Sequence, residues 1–132
     1  MMSDPSNWRV LIVDDDPDNV GVLELVLGFH NAATRIAASG KECLRLLREE
    51  TPTLLLVDIQ MPGMTGYELL EQIRAHEIWR DMPVVAVTAH AMRGDADRIM
   101  RAGFDGYIAK PVDVASLVDN LHSILEASKA HE

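Results

Sequence analysis

Five polar residues scattered along most of the chain each close a short apolar run. Asp14 and Asp15 follow Val10–Val13, Asp58 follows Leu54–Val57, Thr88 follows Val84–Val87, and Lys110 follows Gly106–Ala109. Three carboxylates brought to one place repel each other and call for a cation. Oxygen ligands with no His or Cys beside them select a hard ion: Mg²⁺, with Mn²⁺ as a substitute. Mg²⁺ typically keeps several waters beside one or two carboxylates, which leaves positions for phosphoryl oxygens. Phosphoryl transfer asks chiefly for positioning and charge neutralisation, which a metal, a lysine and a hydroxyl supply together. A carboxylate can itself attack phosphorus and become an acyl phosphate. Asp58, at the end of a wholly apolar run, is the natural nucleophile.

That chemistry requires a fold that gathers the five residues. Val10–Val13, Leu54–Val57 and Val84–Val87 are short, non-alternating and rich in β-branched residues, the pattern of strands buried on both faces of a parallel sheet. Ala33–Ala37 and Gly106–Ala109 are weaker strands, expected nearer the sheet edges. Helical stripes fill the gaps. Val20, Leu23, Val26 and Leu27 form the first. Ser39 with Glu42, and Thr65 with Glu68, predict capping boxes ahead of the second and third. Met92–Ala102 is the poorest helix, containing Gly94 and a thin stripe of Ala96, Ile99 and Met100. Val114, Leu117, Val118, Leu121, Ile124 and Leu125 mark the last, with Asp113 as its N-cap. Strand and helix alternate five times, so a doubly wound α/β sheet with helices on both faces is expected. In such sheets ligands bind at the carboxyl ends of the strands, where the five polar residues fall.

Bulk properties narrow the function. At 132 residues the chain fits one domain. A net charge of −9 argues against a surface that neutralises nucleic-acid phosphates, and Asp95 and Asp97 interrupt the sole basic cluster, Arg93, Arg98 and Arg101. No apolar run is long enough to span a bilayer, and Met1–Asn7 lacks the features of a signal peptide. The single cysteine, Cys43, sits among leucines and is expected in the core; a reducing cytoplasm is the expected location.

Taken singly, each polar residue has a plainer reading. Asp16 followed by Pro17 is a helix N-cap with proline at the first helical position, yet this leaves Asp14 and Asp15 unexplained. Thr88 alone is a strand-end residue, Lys110 alone a solvated side chain, and Tyr107 alone an edge-strand aromatic. Their convergence is what argues for a site.

The segments Val10–Asn19, Leu56–Gly66, Val84–Ala89 and Gly103–Pro111 closely resemble, in this order and spacing, the receiver domains of bacterial two-component response regulators. The resemblance runs from about Arg9 to Leu125. It implies the flavodoxin-like strand order 2-1-3-4-5 and a switch that changes conformation on phosphorylation of Asp58, catalysing only its own phosphorylation and slow dephosphorylation. It further implies Asp15 and Asp58 as direct Mg²⁺ ligands, Asp14 acting mainly through bound water, and the Gln60 backbone carbonyl as another ligand. Thr88 becomes the switch hydroxyl, Lys110 the counter-charge ahead of a cis peptide to Pro111, and Tyr107 the aromatic switch. Gln60 and His90 occupy positions that tune hydrolysis of the phosphoaspartate. The implied partners are a histidine kinase or histidine phosphotransfer protein upstream, and downstream a protein, or a second copy of this chain, on the face of the fourth helix, fifth strand and fifth helix.

Three rivals are weaker. A haloacid-dehalogenase-type phosphatase needs a second acid two residues after the nucleophile, where Gln60 stands. A flavin carrier needs a Ser/Thr/Gly phosphate cradle after the first strand, where Asp14–Asp18 stands instead. A receiver belonging to a hybrid histidine kinase, or a passive phosphoryl carrier in a relay, keeps the site and changes the role; a stand-alone regulator is the preferred expectation. Residues 1–8 are expected to be a flexible extension, 9–127 the domain, and 128–132 a polar tail.

Overall fold

Apolar strands of this kind hide both faces only when helices cover both, and the chain is built that way. The computed structural model describes residues 4–89 and 94–130. The elements run β1 (Arg9–Val13), α1 (Pro17–Phe29), β2 (Ala33–Ala37), α2 (Gly40–Glu49), β3 (Leu54–Asp58), α3 (Gly66–Ala75), β4 (Val84–Thr88), α4 (Asp95–Ala102), β5 (Gly106–Ala109) and α5 (Leu117–Ala130). The five strands are parallel, in the order β2-β1-β3-β4-β5, as expected. β1 begins one residue before its apolar run, while β3 and β4 extend to take in Asp58 and Thr88.

Strand alternation divides the core in two. Leu11, Val13, Leu55, Val57, Val84 and Ala86 pack with Cys43, Leu46 and Leu47 of α2, Leu69, Leu70 and Ile73 of α3, and Ile99 of α4. Val10, Ile12, Leu54, Leu56, Val85 and Val87 face Val20, Leu23 and Leu27 of α1 and Leu117, Leu121 and Leu125 of α5. Each fully buried leucine contributes roughly 1.5–3 kcal/mol by leaving water. Cys43 belongs to this core, and burial pushes its thiol up to about 12, so it is a packing residue.

Helix starts follow the capping residues. Asp16 caps α1, accepting from the Asp18 N–H, with Pro17 opening the helix. At α3 the Thr65–Glu68 box is complete, each side chain accepting the other residue's backbone N–H. At α2 half of the expected box forms: Ser39 Oγ accepts the Glu42 N–H. Asp113 does not cap α5 directly. Its side chain accepts from Ala115 N–H and its carbonyl from Ser116 N–H, so it caps a turn that precedes the regular helix, which begins at Leu117. Nor does packing begin at Arg9. Residues Pro5–Asn7 form a 3-10 turn, and Trp8 is fully buried with its carbonyl accepting from Ala33 N–H.

α4 is thinly attached along its length and firmly tied at one end. It runs from Asp95, Met92 lying outside the described residues, and Ile99 is its one buried side chain. Arg98 lies over the Tyr67 ring at 4.5 Å. Beyond its C-terminus, Arg74 of α3 donates to the carbonyls of Arg80, Met82 and Gly103 and to Asp105 Oδ2, which also accepts from Val84 N–H.

Candidate functional site

The parallel register places the ends of β1, β3, β4 and β5 on one edge, and the polar residues with them. Oxygens of Asp14, Asp15 and Asp58 lie within 4.8 Å of one another. Lys110 Nζ stands 3.3 Å from Asp58 Oδ1 and 3.6 Å from Asp14 Oδ2. The Lys110 N–H also donates to the Thr88 carbonyl at 2.8 Å, which ties β5 to the end of β4. Lys110–Pro111 is a cis peptide.

Environment sorts the three acids. Asp14 and Asp58 are buried and Asp15 is exposed. Asp14 is closely held: Oδ1 accepts from Asp16 N–H at 2.9 Å, and Oδ2 accepts from the Asn19 amide. Asp58 Oδ1 accepts from Gln60 N–H at 3.3 Å. Burial pushes the Asp58 carboxyl up to about 6; the charge of Asp14 adds to the rise, while Lys110 and the Gln60 N–H pull against it. Two buried carboxylates facing one lysine are under-neutralised, and an all-oxygen donor set of this charge fits a hard divalent cation. The residues present therefore suit Mg²⁺.

Thr88 is buried at 3% exposure, beside the site at the end of β4. Tyr107 pairs with Ala86 in register and is 37% exposed, facing outward from β5. The Gln60 side chain points to solvent; His90 lies outside the described residues. Two contributors have no role in the sequence reading. Asn19 is one, its amide reaching back to Asp14. Gly66 is the other: a Cβ there would sit 2.8 Å from the Asp58 carbonyl oxygen and 2.8 Å from Ile59 Cα, so only glycine lets α3 start against the end of β3. Glycine directly after the Thr65 cap was the signal for it.

Among the described residues no helix is long and apolar enough to cross a membrane. A family model for the response regulator receiver domain matches residues 10–122. The polar-differentiation response regulator DivK of Brucella ovis is 38% identical over 116 residues, 88% of this chain and 94% of that protein. The crystal structure of a CheY-like receiver domain protein from Methanospirillum hungatei superposes with a TM-score of 0.80 at 34% identity, covering 95% of this chain and 98% of that one. The receiver domain of sensor histidine kinase PA1611 from Pseudomonas aeruginosa, solved with a magnesium ion coordinated in its active-site cleft, gives 0.81 at 31% identity, covering 90% and 98%. Strand order, the acidic edge with its lysine and threonine, and these likenesses agree: the chain belongs to the response regulator receiver domain family.

Proposed function

We propose that this receiver accepts a phosphoryl group on Asp58 from a phosphohistidine of a histidine kinase or histidine phosphotransfer protein, and signals by a change of conformation. The observation that carries the reading is Lys110 Nζ at 3.3 Å from Asp58 Oδ1, with two further carboxylates alongside. A carboxylate oxygen of Asp58 forms the new O–P bond; the N–P bond of the donor breaks, and its electron pair stays on the imidazole, which takes up a proton. Lys110 neutralises one phosphoryl oxygen, and the Thr88 hydroxyl donates to another. Asp15, Asp58 and the Gln60 carbonyl would hold Mg²⁺, with Asp14 adding charge. The magnesium in the PA1611 receiver supports this choice. Mg²⁺ supplies charge neutralisation that lets a dianionic phosphate approach three acids. The same groups would catalyse the slow return to the free carboxylate, with Gln60 beside the path of the attacking water.

The output follows from packing. Movement of Thr88 toward a phosphoryl oxygen vacates space at the end of β4 that the outward-facing Tyr107 can occupy. The remodelled face is α4, β5 and α5, and its reader is a partner protein or a second copy of this chain. α4 suits this role because one buried residue holds it along its length, and mobile elements come from the least stable parts of a fold. The decisive experiment is mass spectrometry after incubation with phosphoramidate and Mg²⁺. One added phosphoryl group is expected on wild type and none on Asp58→Asn; labelling of that variant would overturn the reading.

A further inference from the structure

Asp14 is restrained more completely than a freely coordinating carboxylate would be. Its side chain is buried at 2% exposure. Oδ1 accepts from Asp16 N–H at 2.9 Å, and Oδ2 accepts from Asn19 Nδ2 in a partly buried hydrogen bond. An ionised carboxylate can only accept, so the Asn19 amide must turn its nitrogen toward Asp14. Asn19 is itself fixed. It sits in the first turn of α1, behind Pro17 and the Asp16 cap, so its position relative to Asp14 is set by helix geometry. Chain 14–19 thus closes on itself, and the rotation of the Asp14 carboxylate is locked from the helix side.

We propose that Asn19 is a positioning residue that keeps Asp14 out of direct contact with the cation and so makes the site prefer Mg²⁺ over Ca²⁺. This rests on the metal reading above and deepens it. The two ions differ in what they demand. Mg²⁺ is satisfied by one or two carboxylates and keeps its waters, whereas Ca²⁺ takes six to eight oxygens and readily uses bidentate carboxylates. With Asp14 tethered, the site offers the carboxylates of Asp15 and Asp58 and a backbone carbonyl, a set suited to Mg²⁺. Releasing Asp14 adds a third carboxylate able to chelate, which favours the larger ion. Asparagine is the residue type the role needs: it donates like a cation but adds no charge that would compete with the metal. An aspartate of the same shape would repel Asp14.

The test is isothermal titration calorimetry of the unphosphorylated protein with MgCl₂ and, separately, CaCl₂, on wild type, Asn19→Leu, Asn19→Ala, Asp14→Asn and the Asp14→Asn/Asn19→Leu pair. The leucine matches asparagine in size and favours helix, and the alanine variant covers the case in which leucine does not fold. The expected result is a rise of about tenfold in Ca²⁺ affinity relative to Mg²⁺ when Asn19 is replaced. In the Asp14→Asn background the same replacement should leave the ratio unmoved, since no carboxylate is released. A residue that merely supports the loop would weaken both ions alike and would do so in either background. An unchanged ratio in the folded Asn19 variants overturns the inference alone. Wild type that binds neither ion overturns the metal reading, and this inference with it.

Discussion

Lys110 follows β5 and Asp58 ends β3, yet the lysine Nζ stands 3.3 Å from Asp58 Oδ1 and 3.6 Å from Asp14 Oδ2. One cation is shared between two buried anions, so in the proposed reaction Lys110 would move its charge onto a phosphoryl oxygen when Asp58 becomes an acyl phosphate. Lys110→Ala should slow phosphorylation by phosphoramidate about a hundredfold, measured as the initial rate of mass gain. A rate within threefold of wild type would remove Lys110 from the chemistry.

The pH dependence of the metal-free protein has a definite sign. The Asp58 carboxyl is raised from 3.8 to about 6 by folding, so over that window the folded chain binds more protons than the unfolded one. Stability therefore falls as pH rises from about 4 to about 6 and then levels. Asp58→Asn should abolish that fall and stabilise the metal-free protein at pH 7 by about 1–2 kcal/mol, once screening by water at the mouth of the site is allowed for. Urea titrations in EDTA at pH 4.5 and pH 7 read both effects. Equal wild-type stability at the two pH values after correction for the variant would count against it.

Saturating Mg²⁺ should raise the melting temperature of wild type by mass action, because the unfolded chain offers no organised site. Asp15 is the exposed member of the acidic trio, whereas backbone N–H groups donate to Asp14 and Asp58. Asp15→Asn should lose most of the rise. A full rise in that variant would take Asp15 out of the coordination shell.

Beryllofluoride, which mimics the phosphoryl group, should shift amide resonances at Thr88, over Asp95–Gly103 and around Tyr107. In Thr88→Ala those distant shifts should largely vanish, while shifts near Asp15 and Asp58 remain. If wild type responds only around the acids, the domain is a passive carrier of phosphoryl groups rather than a switch.

Much of this was legible from residue order. Three short apolar tetrads rich in β-branched residues read as doubly covered strands, and once they lie parallel the polar residues that end them must share an edge. The less legible features depend on what lies across space. Nothing local shows that Trp8 is fully buried, since the core cluster it joins is assembled from distant strands and from α1 and α5. Asp113 has the residue type of a helix cap, but it caps a turn ahead of α5, and an apolar stripe does not separate that turn from the helix that follows. Asn19 belongs to the motif, but its bond to Asp14 arises from the turn between β1 and α1, and a side chain reaching back across a turn leaves no periodic trace.

The ties around Arg74 fix how α4 can move. Its C-terminal end, at Gly103, is moored to α3 and to the start of β4 through Asp105, while its first residue follows Gly94, with no side-chain cap among the described residues. A rod moored at one end swings rather than slides. In the proposed response, displacement would be greatest at the first turn of α4, on the same edge as Thr88, and would fade toward Gly103. On the proposed switch, a short motion of the Thr88 hydroxyl would be geared into a larger sweep of surface, with the Arg74 anchorage as its fulcrum.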